Sequence, residues 1–214
     1  MLQDKKAHCY PYKNLLKPKI GLLGGSFNPA HLGHIAVSKA AIQILGLDEV
    51  WWLVSPQNPL KPRRDMADFE TRMADARRIT KPYPFIKVSD FELRIGHCHT
   101  QKTLCSLKQH SPKTVKFIFL IGSDNLCQLS KWHRFEDILS LMPIAIMPRD
   151  PDDYRARLGK IQNQLAKKSF YGKILKQLIN QKPPALGFMQ IRKNKLRASF
   201  IRKNLYNAKN SLKI

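Results

Sequence analysis

Between Lys19 and Val54 the chain reads as an apolar strand, a pair of glycines, a helix and a second strand, and no other stretch narrows the possible folds as much. The run Ile20-Gly21-Leu22-Leu23 stops abruptly at Gly24-Gly25, as a buried strand entering a tight turn does. From about His31 to Leu45 the apolar positions Ile35, Val37, Ala40, Ala41, Ile42 and Leu45 follow helical spacing, and Gly46 supplies a stop. Glu49–Val54 (EVWWLV) reads as the next strand. So short a strand–helix–strand unit demands parallel strands joined by a right-handed crossover.

The same alternation continues. Pro56, Pro59 and Pro62 mark an irregular loop, and Asp68 is placed to cap a helix running to about Ile79. Phe85–Ser89 reads as a strand, Thr100 as the cap of a helix through about Lys108, and Val115–Ile121 (VKFIFLI) as a central strand, being nearly all apolar. Helices are expected over Asp124–Trp132 and Phe135–Leu141, a strand over Ile144–Met147, and a strongly basic helix over Asp152–Lys168. A last strand is expected near Leu186–Ile191 and a final helix from about Ser199. This order predicts an α/β fold with a Rossmann-like, doubly wound parallel sheet. Residues 1–18, polar and lysine-rich with two prolines, read as a flexible basic arm ahead of a single domain, 19–214, with a C-terminal helical part.

Composition excludes several classes. No apolar run approaches the roughly 20 residues that span a bilayer, and the lysine-rich start has no apolar signal core, so a cytoplasmic protein without a membrane partner is expected. Cys9, Cys98, Cys105 and Cys127 are too few for a disulfide framework. His97, Cys98, His99 and Cys105 could in principle hold zinc, but adjacent residues seldom converge on one tetrahedral ion; reduced, mostly buried thiols are the better reading, with no protein-held metal. The net charge of +23 attracts polyanions of any kind, and residues 151–214 set 16 Lys or Arg against Asp152 and Asp153. Charge alone does not choose among nucleic acid, acidic lipid and small polyphosphates. Neither a monomer nor a homo-oligomer is favoured.

The chemistry concentrates in Gly24-Gly25-Ser26-Phe27-Asn28-Pro29-Ala30-His31-Leu32-Gly33-His34. Two glycines after a strand let backbone amides approach a phosphate, and the following helix adds its positive end. The segment lacks the Gly-Lys-Ser/Thr ending of a Walker loop and the Gly-x-Gly-x-x-Gly of a dinucleotide fingerprint. Instead it carries His31 and His34 three residues apart, on one face of the first helical turn, where two imidazoles can donate to phosphate oxygens.

That stretch resembles the signature of the nucleotidyltransferase superfamily, whose hallmark is His-x-Gly-His or Thr-x-Gly-His. Within it the chain resembles the bacterial nicotinate-nucleotide adenylyltransferases of NAD synthesis. The resemblance is carried by Gly24–His34, by Trp51–Pro62 and by Ile-Gly-Ser-Asp-Asn-Leu with Lys-Trp-His inside Ile121–His133, and it runs from about Lys19 to Leu205. It implies that Gly24, Gly25, Ser26, Phe27, His31 and His34 bind the ATP phosphates, and that Gly122 and Asp124 face the adenosine, Asp124 at its ribose. Trp132 would stack on the nicotinate ring, with Thr100 and Thr103 lining its pocket. Lys61 and Arg149 would reach phosphate on the mononucleotide side, and Ser199, Ile201 and Arg202 would open a helix over the adenine and phosphates, Arg202 with a catalytic role. Two departures stand out: Arg197-Ala198 replaces a pair of serines, and His99 replaces a tyrosine.

The implied reaction joins nicotinate mononucleotide to the adenylyl part of ATP, with pyrophosphate leaving and Mg²⁺ held mainly by the substrate phosphates. Two other readings remain open. The acceptor could be phosphopantetheine or nicotinamide mononucleotide, or the enzyme a cytidylyltransferase. Alternatively the charge could belong to a nucleic-acid-binding protein, although no groove-reading helix, zinc finger or aromatic RNA-binding strand is present and specific nucleic acid is not expected.

Overall fold

A computed structural model describes residues 17–56, 66–97, 99–148 and 159–191. Its centre is a seven-stranded sheet in which every pairing is parallel. The strands are β1 (Lys19–Gly25), β2 (Glu49–Val54), β3 (Ile86–Ser89), β4 (Lys116–Gly122), β5 (Ile144–Met147), β6 (Ser169–Tyr171) and β7 (Leu186–Phe188). They lie in the order β3-β2-β1-β4-β5-β7-β6. The helices are α1 (Leu32–Leu45), α2 (Phe69–Thr80), α3 (Phe91–Arg94), α4 (Thr100–His110), α5 (Ser123–Gln128), α6 (Phe135–Leu141) and α7 (Lys160–Gln164). The doubly wound parallel sheet expected from sequence is what the chain forms.

Alternate residues of each central strand feed two separate cores. Leu23, Val50, Trp52, Val54, Ile118, Leu120, Ala145 and Met147 pack on one face with Ile35, Ala41 and Leu45 of α1 and Met73 and Ala76 of α2. Ile20, Leu22, Trp51, Leu53, Phe117, Phe119, Ile121, Ile144 and Ile146 pack on the other with Leu104 and Leu107 of α4, Leu126 of α5 and Ile138 of α6. Burial on both faces is why these strands are apolar beyond their first residues, Lys19, Glu49 and Lys116, and it offsets most of the ordering entropy of the chain. The sheet packs tightly at Gly21. A Cβ at Gly21 would sit 2.8 Å from Leu47 Cδ1 and 2.9 Å from Leu120 Cδ1, so any larger residue there would make these two leucine side chains shift.

Several boundaries differ from expectation for local reasons. His99, not Thr100, is the residue preceding α4. The expected helix to Trp132 ends at Gln128 and tightens into a 3₁₀ turn, Leu129–Lys131. The described part of the expected basic helix is broken into α7 and a 3₁₀ turn at Ala166–Lys168, with only Ile161 and Leu165 as apolar anchors. Residues 152–158 of that helix, and the final helix from Ser199, lie outside the described residues, as does nearly all of the expected arm. Helix α3, strand β6 and the 3₁₀ stretch Gly172–Asn180 have too few residues in a regular pattern to be read in advance. Cys105 is half-buried and Cys127 exposed, which corrects the expectation of buried thiols at these two positions. No helix among the described residues is long and apolar enough to cross a membrane.

Candidate active site

From β1 the chain goes to β2 on one side, and returns to β4 on the other, so the sheet order reverses between β1 and β4. In open α/β sheets ligands bind outside the carboxyl ends of the strands at that reversal. Leu23 pairs with Leu120, and continuing the register two residues sets Gly25 level with Gly122. The two glycine-containing turns singled out in the sequence therefore flank one crevice.

On the β1 side the turn is held in an unusual shape. Gly24 is exposed and Gly25 half-buried while Ile20 to Leu23 are buried, and Phe27 has φ +45°, a left-handed conformation that costs a bulky residue roughly 1–3 kcal/mol. The cost is met by packing: the Phe27 ring stacks on Trp52 at 4.8 Å and 15° and lies 4.9 Å from the His34 ring. The Ser55 N–H donates to the Gly25 carbonyl at 2.9 Å. Because a trans peptide points its C=O and N–H in opposite directions, the Ser26 N–H is turned away from β2, towards the β4 side of the crevice.

The two histidines form a reciprocal cap. His31 precedes α1, and its Nδ1 accepts from the Gly33 N–H at 3.1 Å; His34 Nδ1 accepts from the His31 N–H at 3.2 Å. An Nδ1 that accepts carries no proton, so in both neutral rings the proton sits on Nε2. The sequence thereby fixes two imidazoles, ring centroids 3.9 Å apart, as Nε2–H donors at the positive end of a helix with no acidic residue in its first turn. Behind them the Ser38 hydroxyl donates to the His34 carbonyl at 2.9 Å and accepts from the Trp52 indole N–H at 2.8 Å.

On the β4 side Gly122 leads straight into α5, whose first turn carries Asp124, half-buried. Trp132 is half-buried against the α4–α6 core, just after the 3₁₀ turn. Its neighbour His133 lies ring to ring with His99 at 4.9 Å, which brings the Trp132 segment to the start of α4 and Thr100. Thr103 behaves differently from Thr100. It is 1% exposed, and its hydroxyl is hydrogen-bonded to Glu92 Oε1 at 3.2 Å and to the His99 carbonyl at 3.3 Å. Lys61, Arg149, Ser199, Ile201 and Arg202 lie outside the described residues.

Two residues escaped the sequence reading. Glu92 is buried beneath Thr103, and burial pushes its carboxyl up to about 7 against the opposing pull of hydrogen bonds from Ser55 and Thr103. Arg72 is 1% exposed, with its guanidinium donating to the carbonyls of Ser26 (2.6 Å), Ser55 (2.7 Å), Pro56 (3.0 Å) and Ala67 (3.0 Å). Burial lowers its pKa, and the charge of Asp68 opposes that shift. A sequence signal existed: Arg72 shares the i, i+4 stripe of α2 with buried Ala76 and Thr80, where a surface arginine does not belong. Among the described residues no three His, Cys, Asp or Glu side chains group so as to hold a metal ion.

With this geometry in place, comparison with known proteins is informative. The cytidylyltransferase-like family profile matches residues 22–204. A curated relative from Parvibaculum lavamentivorans named "Probable nicotinate-nucleotide adenylyltransferase" is 49% identical over 149 residues, covering 69% of this chain and 73% of its own. One of the same name from Gluconobacter oxydans is 39% identical over 186 residues, covering 87% and 94%. Among solved structures, the Plasmodium falciparum nicotinic acid mononucleotide adenylyltransferase complexed with NaAD superposes with a TM-score of 0.66 at 21% identity, covering 87% of this chain and 83% of that one. That structural likeness establishes a shared fold.

Proposed function

The chain belongs to the cytidylyltransferase-like family and, within it, to the nicotinate-nucleotide adenylyltransferases, and on that premise we propose that it transfers the adenylyl group of ATP to nicotinate mononucleotide, a step of NAD biosynthesis. The mononucleotide phosphate attacks the α-phosphorus of ATP, the bond to the bridging oxygen of the β-phosphate breaks, and pyrophosphate leaves. The nucleophile is already an anion at neutral pH, so no general base is required. The protein's work is to align two polyanions and to meet the charge growing on the leaving group.

The reciprocal histidine cap carries this reading. It aims Nε2–H donors of His31 and His34 beside the Gly24-Gly25 turn, where exposed backbone leaves room for phosphate. Asp124 accepts from ribose hydroxyls next to Gly122, and the Trp132 indole offers a flat face to the nicotinate ring, with Thr100 alongside. Thr103, being buried, shapes that pocket from beneath. Lys61, Arg149, Ser199, Ile201 and Arg202 keep the phosphate and adenine roles that the resemblance implies. Mg²⁺ enters with the ATP phosphates and lowers their mutual repulsion; the described residues offer it no ligand cluster, and no step is assigned to a protein-held ion.

The test is a pyrophosphate-release assay with ATP and, in parallel, nicotinate mononucleotide, nicotinamide mononucleotide and phosphopantetheine. Fastest turnover with nicotinate mononucleotide, yielding nicotinate adenine dinucleotide, is expected. Preference for phosphopantetheine would overturn the acceptor, and no turnover with any of the three would overturn the reaction.

A further inference from the structure

The strongest feature left without a role is the buried guanidinium of Arg72. Four of its five N–H donors go to backbone carbonyls on three separate segments: the turn after β1 (Ser26), the start of the loop after β2 (Ser55 and Pro56) and the approach to α2 (Ala67). Asn28 of the same turn accepts from the Ala67 N–H at 3.3 Å, closing the ring of contacts. Burying a cation is expensive, and the four carbonyls that accept from this one offset that cost.

The geometry says what it is needed for. Arg72 Nη1 draws the Ser26 carbonyl inward at 2.6 Å. The Ser26–Phe27 peptide is not among the cis bonds, so the Phe27 N–H points the opposite way, away from Arg72. No backbone hydrogen bond takes up that N–H among the described residues. A carbonyl accepting from a cation also polarises its peptide and makes the N–H on its far side a better donor.

We propose that Arg72 is a positioning residue for adenylyl transfer: by holding the Ser26 carbonyl inward it aims the Phe27 N–H at the transferring phosphate, and by gripping Ser55 and Pro56 it ties that donor to the loop after β2. The inference rests on the adenylyl-transfer reading. It adds a backbone donor whose direction is set from the core, distinct from the two imidazoles. Lysine cannot replace arginine here, because one ammonium lacks the planar fork that reaches four carbonyls.

Wild-type enzyme is first assayed with ATP and nicotinate mononucleotide; failure at this stage would fell the functional reading itself. With turnover established, Arg72→Lys is expected to lose about tenfold to a hundredfold in kcat, with the KM for ATP changed much less, since the donor acts on charge that develops in the transition state. Guanidinium at millimolar concentration, far below denaturing levels, is expected to restore part of the rate to Arg72→Ala. A folded Arg72→Lys enzyme with wild-type kcat overturns the proposal alone. Should both variants fail to fold, wild-type enzyme titrated with α,β-methylene-ATP decides by NMR. The Phe27 amide proton must shift on binding, and an unmoved Phe27 amide in the saturated complex overturns it.

Discussion

The two strand-to-helix turns that flank the crevice are built on opposite plans. After β1 the chain spends Ser26 to Ala30 on a strained turn, caps α1 with two imidazoles and keeps acids out of the first helical turn. After β4 it spends nothing: Gly122 is itself the cap, no side chain caps α5, and Asp124 stands in the first turn. A helix start with donors and no carboxylate attracts anions; one that carries a carboxylate repels them and suits hydroxyl donors. Under the proposed reaction the first turn serves as the phosphate side of the site and the second as its sugar side. The difference lies in which atoms the turns leave facing outward, since the strands beneath are alike.

The largest effect should come from the phosphate side. His34→Ala removes one Nε2–H donor and the partner of the His31 N–H, and turnover should fall a hundredfold or more, with a smaller change in the KM for ATP. Steady-state kinetics at saturating nicotinate mononucleotide measures this, and near wild-type kcat would erase the contrast between the turns. On the sugar side the signature inverts: Asp124→Ala should raise the KM for ATP about tenfold, the worth of hydrogen bonds to a charged acceptor, while kcat moves less. A loss mainly in kcat would mean that Asp124 acts on the reacting centre.

The smallest effect concerns Glu92, the one acidic residue that is buried among the described residues. Glu92 touches Ser55, whose N–H holds the Gly25 carbonyl. Its folded pKa is raised from the ordinary 4.5 to about 7, so the native state holds a proton that the unfolded chain has already lost. Stability therefore declines as pH climbs from about 4.5 through 7, and the decline is complete above that. Glu92→Gln keeps an acceptor for Thr103 and cannot ionise. It should melt a few degrees above wild type at pH 8 and show no such advantage at pH 4, read by thermal denaturation across that range. A constant difference at every pH would mean that packing, not ionisation, sets the effect.

Much of this was legible in the residues. The apolar run into Gly24-Gly25 and the helical spacing to Gly46 dictate a parallel unit, and the spacing of His31 and His34 dictates one helical face. What the sequence did not reveal was how the rings are oriented, because the cap depends on which nitrogen meets which backbone amide. Arg72 was hidden for a related reason. Its partners are carbonyls, which every residue has, so nothing in their side chains betrays them. Thr103 was placed in the nicotinate pocket by resemblance, and only the packing of α4 on Glu92 shows it facing inward. Beyond β5 the legibility falls away, since β6 and β7 have three residues each and their order in the sheet reverses their order in the chain.

That reversal has a consequence for biosynthesis. Strand β6 touches the sheet only through β7, and β5 is covered on that side only by β7. While the polypeptide emerges from the ribosome, the edge of β5 stays open until Phe188 has cleared the exit tunnel, and β6, made earlier, has no strand to pair with before then. The crevice can be assembled well before then, from β1, β2 and β4, so a nascent chain can shape its phosphate turn while its sheet is still unsealed.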